Sequence, residues 1–78
     1  MEPKTMLKSL FGRGELSTVE TSLKMGRSRG YLSSYIARGN EPGITLMAEI
    51  CDAIGYDLLI RNRTDGTEII IDPPKKDV

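Results

Sequence analysis

Residues 16–39 read LSTVETSLKMGRSRGYLSSYIARG, and the order of signals in this stretch decides the fold. Ser17-Thr18-Val19-Glu20 has the form of a capping box, in which the Ser17 hydroxyl accepts from the Glu20 amide while the carboxylate reaches back. The pattern predicts a helix opening at Leu16 and Ser17, with Leu16, Val19 and Leu23 facing inward and Met25 beside them. Gly26 ends that helix after about two turns. Ser28 is the expected N-cap of a second helix running to Ala37. Its apolar stripe is Tyr31, Leu32, Tyr35 and Ile36, spaced i, i+1, i+4, i+5. The opposite side carries Arg29, Gly30, Ser33, Ser34 and Arg38, all short or cationic. No carboxylate occurs between Glu20 and Glu41.

Upstream, KTMLKSLFGR (residues 4–13) repeats the same period with Met6, Leu7, Leu10 and Phe11, and sets Lys4 and Lys8 on the other face. Gly12 and Gly14 are its expected stop. Downstream, Gly39-Asn40-Glu41-Pro42-Gly43 predicts a turn. A further helix from Ile44 to Ile54 is expected to bury Leu46, Met47, Ile50, Cys51 and Ile54, with Gly55 as its C-terminal stop. The period then changes. Residues 56–63 and 67–72 are β-rich runs on either side of Asp65-Gly66, the signal for a two-residue type I′ hairpin. In that register Arg63 faces Glu68, Asn62 faces Ile69, Arg61 faces Ile70 and Ile60 faces Ile71. Leu58, Ile60, Ile69 and Ile71 share one side, and Leu59 and Ile70 the other. Pro73-Pro74 ends the sheet. The expected organisation is a helical domain over 1–55, a hairpin over 56–73 belonging to the same domain, and a flexible tail over 74–78, mainly α throughout.

A chain of 78 residues, 38% of them apolar, is one small domain. A domain of that size hides only about 60% of its unfolded surface, so the core is thin. No apolar run approaches the roughly 18 residues a membrane span needs, and residues 1–11 lack the apolar block of a secretory signal. A cytoplasmic location is expected. The single Cys51 excludes an internal disulfide, and the absence of His leaves a zinc site almost without ligands and removes imidazole acid–base catalysis. Glu49 and Asp52 read as solvated helix surface, because no nucleophile or base converges with them. The chain is therefore expected to need no metal or cofactor and to be no enzyme. Net charge is zero, yet residues 1–40 hold seven bases against three acids and residues 41–78 four against eight. The basic half suits an anionic partner.

Two short helices across a tight turn predict a helix-turn-helix, whose second helix fits the DNA major groove. A helix N-terminus offers unpaired amides and the positive end of its dipole to phosphate. Arg donates two parallel bonds to guanine O6 and N7, and Ser bonds several base edges. Gly30 keeps the surface low, so that the backbone can come close. LSTVETSLKMGRSRGYLSSYIARGNEPGITLMAEICDAIGYDL (residues 16–58) resembles the lambda-repressor/Cro-like (XRE) family. The likeness lies in the Leu16-to-Gly26 spacing, the small Ser22, the segment Ser28–Ser33, the Gly39–Pro42 turn and the Leu46–Gly55 helix. It departs at Thr21, where the family usually has an aliphatic residue, in a second helix one residue longer, and in a hairpin where a fifth helix would stand.

The resemblance implies a four-helix, lambda-repressor-like domain followed by a hairpin. It further implies a sequence-specific binder of double-stranded DNA, a transcriptional repressor of phage, prophage or mobile-element type. Arg27, Ser28, Arg29, Gly30, Ser33 and Ser34 would then face the groove, with Arg29 and Ser33 at base edges and Ser28 with Arg27 at phosphate. Arg38, Asn40 and Ser17 are further phosphate candidates. Tyr31 and Tyr35 are expected in the core rather than stacked on bases.

The hairpin is apolar on both faces, and two strands alone are marginal in water. A homodimer through Leu59, Arg61 and Ile70 is expected, suited to a palindromic operator with half-sites about 34 Å apart. The plainer alternative is a monomer whose hairpin covers the helices. A different class of reading is an antitoxin-like protein whose acidic half binds and neutralises a toxin-like protein partner, with DNA binding secondary.

Overall fold

The computed structural model describes residues 1–12 and 16–74. Among them are four helices, α1 (Pro3–Gly12), α2 (Thr18–Lys24), α3 (Tyr31–Ala37) and α4 (Ile44–Ile54). A two-stranded antiparallel sheet of β1 (Leu58–Arg61) and β2 (Glu68–Ile71) follows. The chain is mainly α, and it divides into two compact units, Met1–Pro42 and Gly43–Val78. The expected stop at Gly14 and the tail beyond Pro74 lie outside the described residues.

In the first unit, α1 opens on Pro3, whose ring presets the helical φ at a position where the missing N–H costs nothing. Its stripe reads as expected: Leu7 is buried, Met6, Leu10 and Phe11 are half-buried, and Lys4 and Lys8 are exposed. Ser17 caps α2, its Oγ accepting from the Glu20 amide at 3.2 Å. The far end of α2 is a complete Schellman motif. The Gly26 amide donates to Leu23 O at 3.0 Å and the Arg27 amide to Ser22 O at 2.9 Å, with Gly26 in the left-handed region at φ 75°. Any other L-residue would strain the backbone at position 26.

Two expectations about this unit are corrected. Leu23 does not face inward; it is 53% exposed, and the buried positions of α2 are Thr21 and Ser22. Both hydroxyls are satisfied within the helix, Thr21 Oγ1 donating to Ser17 O at 2.8 Å and Ser22 Oγ to Thr18 O at 2.6 Å. Ser28 is not the N-cap of α3. Its carbonyl accepts from the Tyr31 amide at 3.1 Å, which makes residues 28–31 a turn, and the helix begins one residue beyond Gly30. The bond expected of Ser28 is made instead by Ser22, ten residues before its donor: the buried Leu32 amide donates to Ser22 Oγ at 3.1 Å. Ser22 thus joins α2 to α3, taking up an amide that the first turn of α3 cannot pair.

In the second unit, α4 buries Met47, Ala48, Ile50 and Cys51 and half-buries Leu46 and Ile54. It ends on Gly55 at φ 79°, past which the Tyr56 amide returns to Cys51 O at 2.8 Å. Burial, and then the charge of Asp57, push the Cys51 thiol up from its ordinary pKa, so it stays protonated and inert near neutral pH.

The hairpin exists, but its register differs from the expected one. Leu58 pairs with Ile71, Leu59 with Ile70, Ile60 with Ile69 and Arg61 with Glu68. Glu68 therefore meets Arg61 and not Arg63. Asp65-Gly66 does not form a type I′ turn, which needs positive φ at both residues. Only Gly66 has it, at 77°. A longer loop is held by side chains instead. Asn62 Oδ1 accepts from the Thr64 amide at 2.8 Å, and Asp65 Oδ1 accepts from the amide and the hydroxyl of Thr67 at 2.9 and 2.8 Å. Those bonds from Thr67 hold the Asp65 carboxyl below its ordinary pKa. A shift of two residues leaves the faces unchanged, because side chains alternate with period two. Leu58, Ile60, Ile69 and Ile71 remain on one side, and Leu59 and Ile70 on the other.

Candidate nucleic-acid interface

In the first unit most of the expected contact residues are exposed on α3 and the segments that flank it. Arg27, Ser28, Arg29 and Gly30 lie in the Schellman turn and the turn that follows it. Ser33 and Ser34 lie on the first turns of α3, and Arg38 and Asn40 at its end; all eight are exposed. Ser17 is also exposed, one helix earlier. The period of α3 explains the arrangement: Leu32 is fully buried, Tyr31, Tyr35 and Ile36 are half-buried, and the remaining positions point outward.

The local chemistry sets what each group has left to offer. The Arg27 guanidinium lies 4.6 Å from the centroid of the Tyr31 ring, a cation–π contact that fixes the direction of its charge. Tyr31 and Tyr35 are 6.2 Å apart, tilted by 30°, and the Tyr35 hydroxyl donates to Glu41 O at 3.2 Å. That bond ties the turn after α3 back onto the helix. Arg38 Nε donates to Ser34 O at 3.3 Å, a bond that uses one of the five guanidinium N–H donors. Ser33 Oγ donates to Gly30 O at 3.2 Å, so what its hydroxyl has left to offer is acceptor capacity. Ser17 Oγ accepts at the cap of α2, so its own O–H can donate to a phosphate.

Gly30 is informative for what it lacks. Its φ is −92°, where any residue is comfortable, and an added Cβ would meet nothing nearer than Ser34 Oγ at 4.0 Å. The protein's own backbone and packing do not require glycine there. An open, apolar groove of about 380 Å³ runs beside Ser33, lined by Lys8, Phe11, Gly12, Thr18, Ile36 and Ala37. Its lining suits an apolar occupant rather than phosphate.

Two participants were not legible from sequence. Ser22 positions α3 from within the core, and only its small size hinted at close helix packing. Tyr31 serves the surface as well as the core by carrying Arg27, a pairing of residues four apart across a turn that helical periodicity does not reach. Among the described residues no cluster of three His, Cys, Asp or Glu side chains could hold a metal ion, and no helix is long and apolar enough to cross a membrane. Comparison with family models, curated proteins and solved structures finds no match to this chain.

Proposed function

We propose that this chain is a sequence-specific double-stranded DNA-binding regulator of the lambda-repressor/Cro-like kind, with α2 and α3 as its helix-turn-helix. Paired as a homodimer, it occupies a palindromic operator and blocks transcription. The observation that carries this reading is the exposed side of α3 with its preceding turn. Arg27 and Arg29 precede and Arg38 follows Ser33 and Ser34 there, all of them exposed, beside an unconstrained Gly30, and no carboxylate interrupts the segment between Glu20 and Glu41.

A surface of this kind repels no phosphate and places forked guanidinium donors beside a backbone low enough to approach base edges. Arg29 and Ser33 read bases in this proposal. Arg27, Ser28, Arg38, Asn40 and Ser17 hold phosphates and set the register.

Selection of bound duplexes from a random pool tests it. The expected outcome is an enriched site of two inverted half-sites spaced by about one helical turn, with affinity falling steeply as salt rises. A pool that shows no enrichment and no salt-dependent binding would remove the proposal.

A further inference from the structure

Four large apolar side chains of the hairpin stand in solvent: Leu59 is 38% exposed, Ile60 56%, Ile69 62% and Ile70 54%. They belong to both faces, so whatever covers one face leaves the other wet. Both strands of the sheet are also edges, because the sheet has only two strands. An open edge carries unpaired amides and carbonyls and accepts another strand readily. The two edges differ in what they would present to a second copy of the chain.

The direction of the backbone groups follows from the ladder. The Asn62 amide donates to Thr67 O at 2.8 Å, which marks 62 and 67 as a hydrogen-bonded pair. Such pairs alternate in an antiparallel ladder, so Ile60 and Leu58 also bond inward to β2. Leu59 and Arg61, with Asp57 in the same phase, turn their backbone groups to the free edge of β1. On β2 the outward residues are Glu68 and Ile70, followed by Asp72 and then Pro74, which has no amide to donate.

A two-fold axis at Ile70 would set Glu68 against Asp72 of the other copy, twice over, and like charges directly opposite are destabilising. The proline at its end blunts that edge further. A two-fold axis at Leu59 does the reverse. It sets Leu59 against its own counterpart and Asp57 against Arg61 of the other copy, again twice over. The same phase that points these residues outward makes each of the pairs a hydrogen-bonded one.

We propose that two copies of this chain pair antiparallel through the free edge of β1, about a two-fold axis at Leu59, with Asp57 of each copy opposite Arg61 of the other. The product is a four-stranded sheet ordered β2-β1-β1-β2. One face carries Ile70 and Leu59 from both copies in a single row. On the other, Leu58, Ile60, Ile69 and Ile71 from both copies form a continuous apolar surface. Arg61 then sits between Glu68 of its own hairpin and Asp57 of its mate. This deepens the homodimer of the proposed function, and it does not depend on DNA.

Charge reversal tests it. Sedimentation equilibrium of the full chain, without DNA, is run on the wild type, D57R, R61D and the D57R/R61D swap, with circular dichroism as the folding control. The expected result is that each single reversal weakens dimerisation at least tenfold and that the swap recovers most of the loss. R61D also places two acids opposite each other within its own hairpin, so the recovery in the swap, rather than the single loss, is decisive. A wild type that stays monomeric at high concentration overturns the proposal, and so do single reversals that leave the dimer unchanged or a swap that recovers nothing. Each reversed variant still binds an isolated half-site if the DNA reading holds, so failure of either proposal is seen separately.

Discussion

Ser22→Val is expected to destabilise the protein by about 2–6 kcal/mol. Two losses combine. Ser22 is fully buried, and its Oγ takes the hydrogen bond of the buried Leu32 amide while donating to Thr18 O. Removing the oxygen leaves that amide without a partner, a cost of about 1–3 kcal/mol. Branching the side chain then forces extra volume between α2 and α3, which adds about 1–3 kcal/mol.

Ser22→Ala separates the two terms. It loses the oxygen without adding volume, and the better helix propensity of alanine offsets about 0.5 kcal/mol. Urea unfolding of both variants checks this. The midpoint should fall in the order wild type, alanine, valine, with little change in slope. An alanine variant as stable as the wild type would mean that the bond to Leu32 contributes nothing net.

Arg29→Ala carries the second large expectation, on binding rather than folding. If Arg29 donates to a guanine edge, truncation costs about 1–3 kcal/mol on the selected site, between about fivefold and 150-fold in affinity, and relaxes one base position. Arg29 is exposed, so the fold should be untouched. Arg27 makes the contrast. Held over Tyr31 and assigned to phosphate, its replacement by alanine should weaken all duplexes alike and lower the salt slope by about one. Arg27→Lys keeps the charge and most of that slope, because counterion release depends on charge and not on the stacked plane. Titrations of the selected site and of a scrambled duplex at several salt concentrations distinguish the two arginines. Equal behaviour of both variants on both duplexes would contradict the division of roles.

How far the sequence could be read depended on the range of the interactions involved. Elements set by local rules were legible: the Ser17 cap, the glycine stops at 26 and 55, and the apolar stripes of α1, α3 and α4 each follow from residues within one or two turns. The start of α3 was not. Ser28 satisfies every local criterion for a cap, yet a hydroxyl ten residues away takes up an amide of the first turn, and no window of sequence shows which serine will be near.

The hairpin register failed for a related reason. Asp65-Gly66 is a strong turn signal, but Asn62 and Asp65 each hold a backbone amide through their own side chains. Those bonds favour a longer loop and move the pairing by two residues. The period of two kept the faces right even where the pairing was wrong. The exposed side of α3 was legible because it is defined by what it lacks, carboxylates and bulk, and composition along a helix shows that directly.

The most direct test of the central claim is an amide chemical-shift map of the isotope-labelled protein titrated with duplex DNA. Binding through α3 is expected to move the amides of residues 27–40, and that of Ser17, while those of the hairpin stay in place or shift only with dimerisation. Shifts confined to the hairpin, or a spectrum that the duplex leaves unchanged, would contradict it.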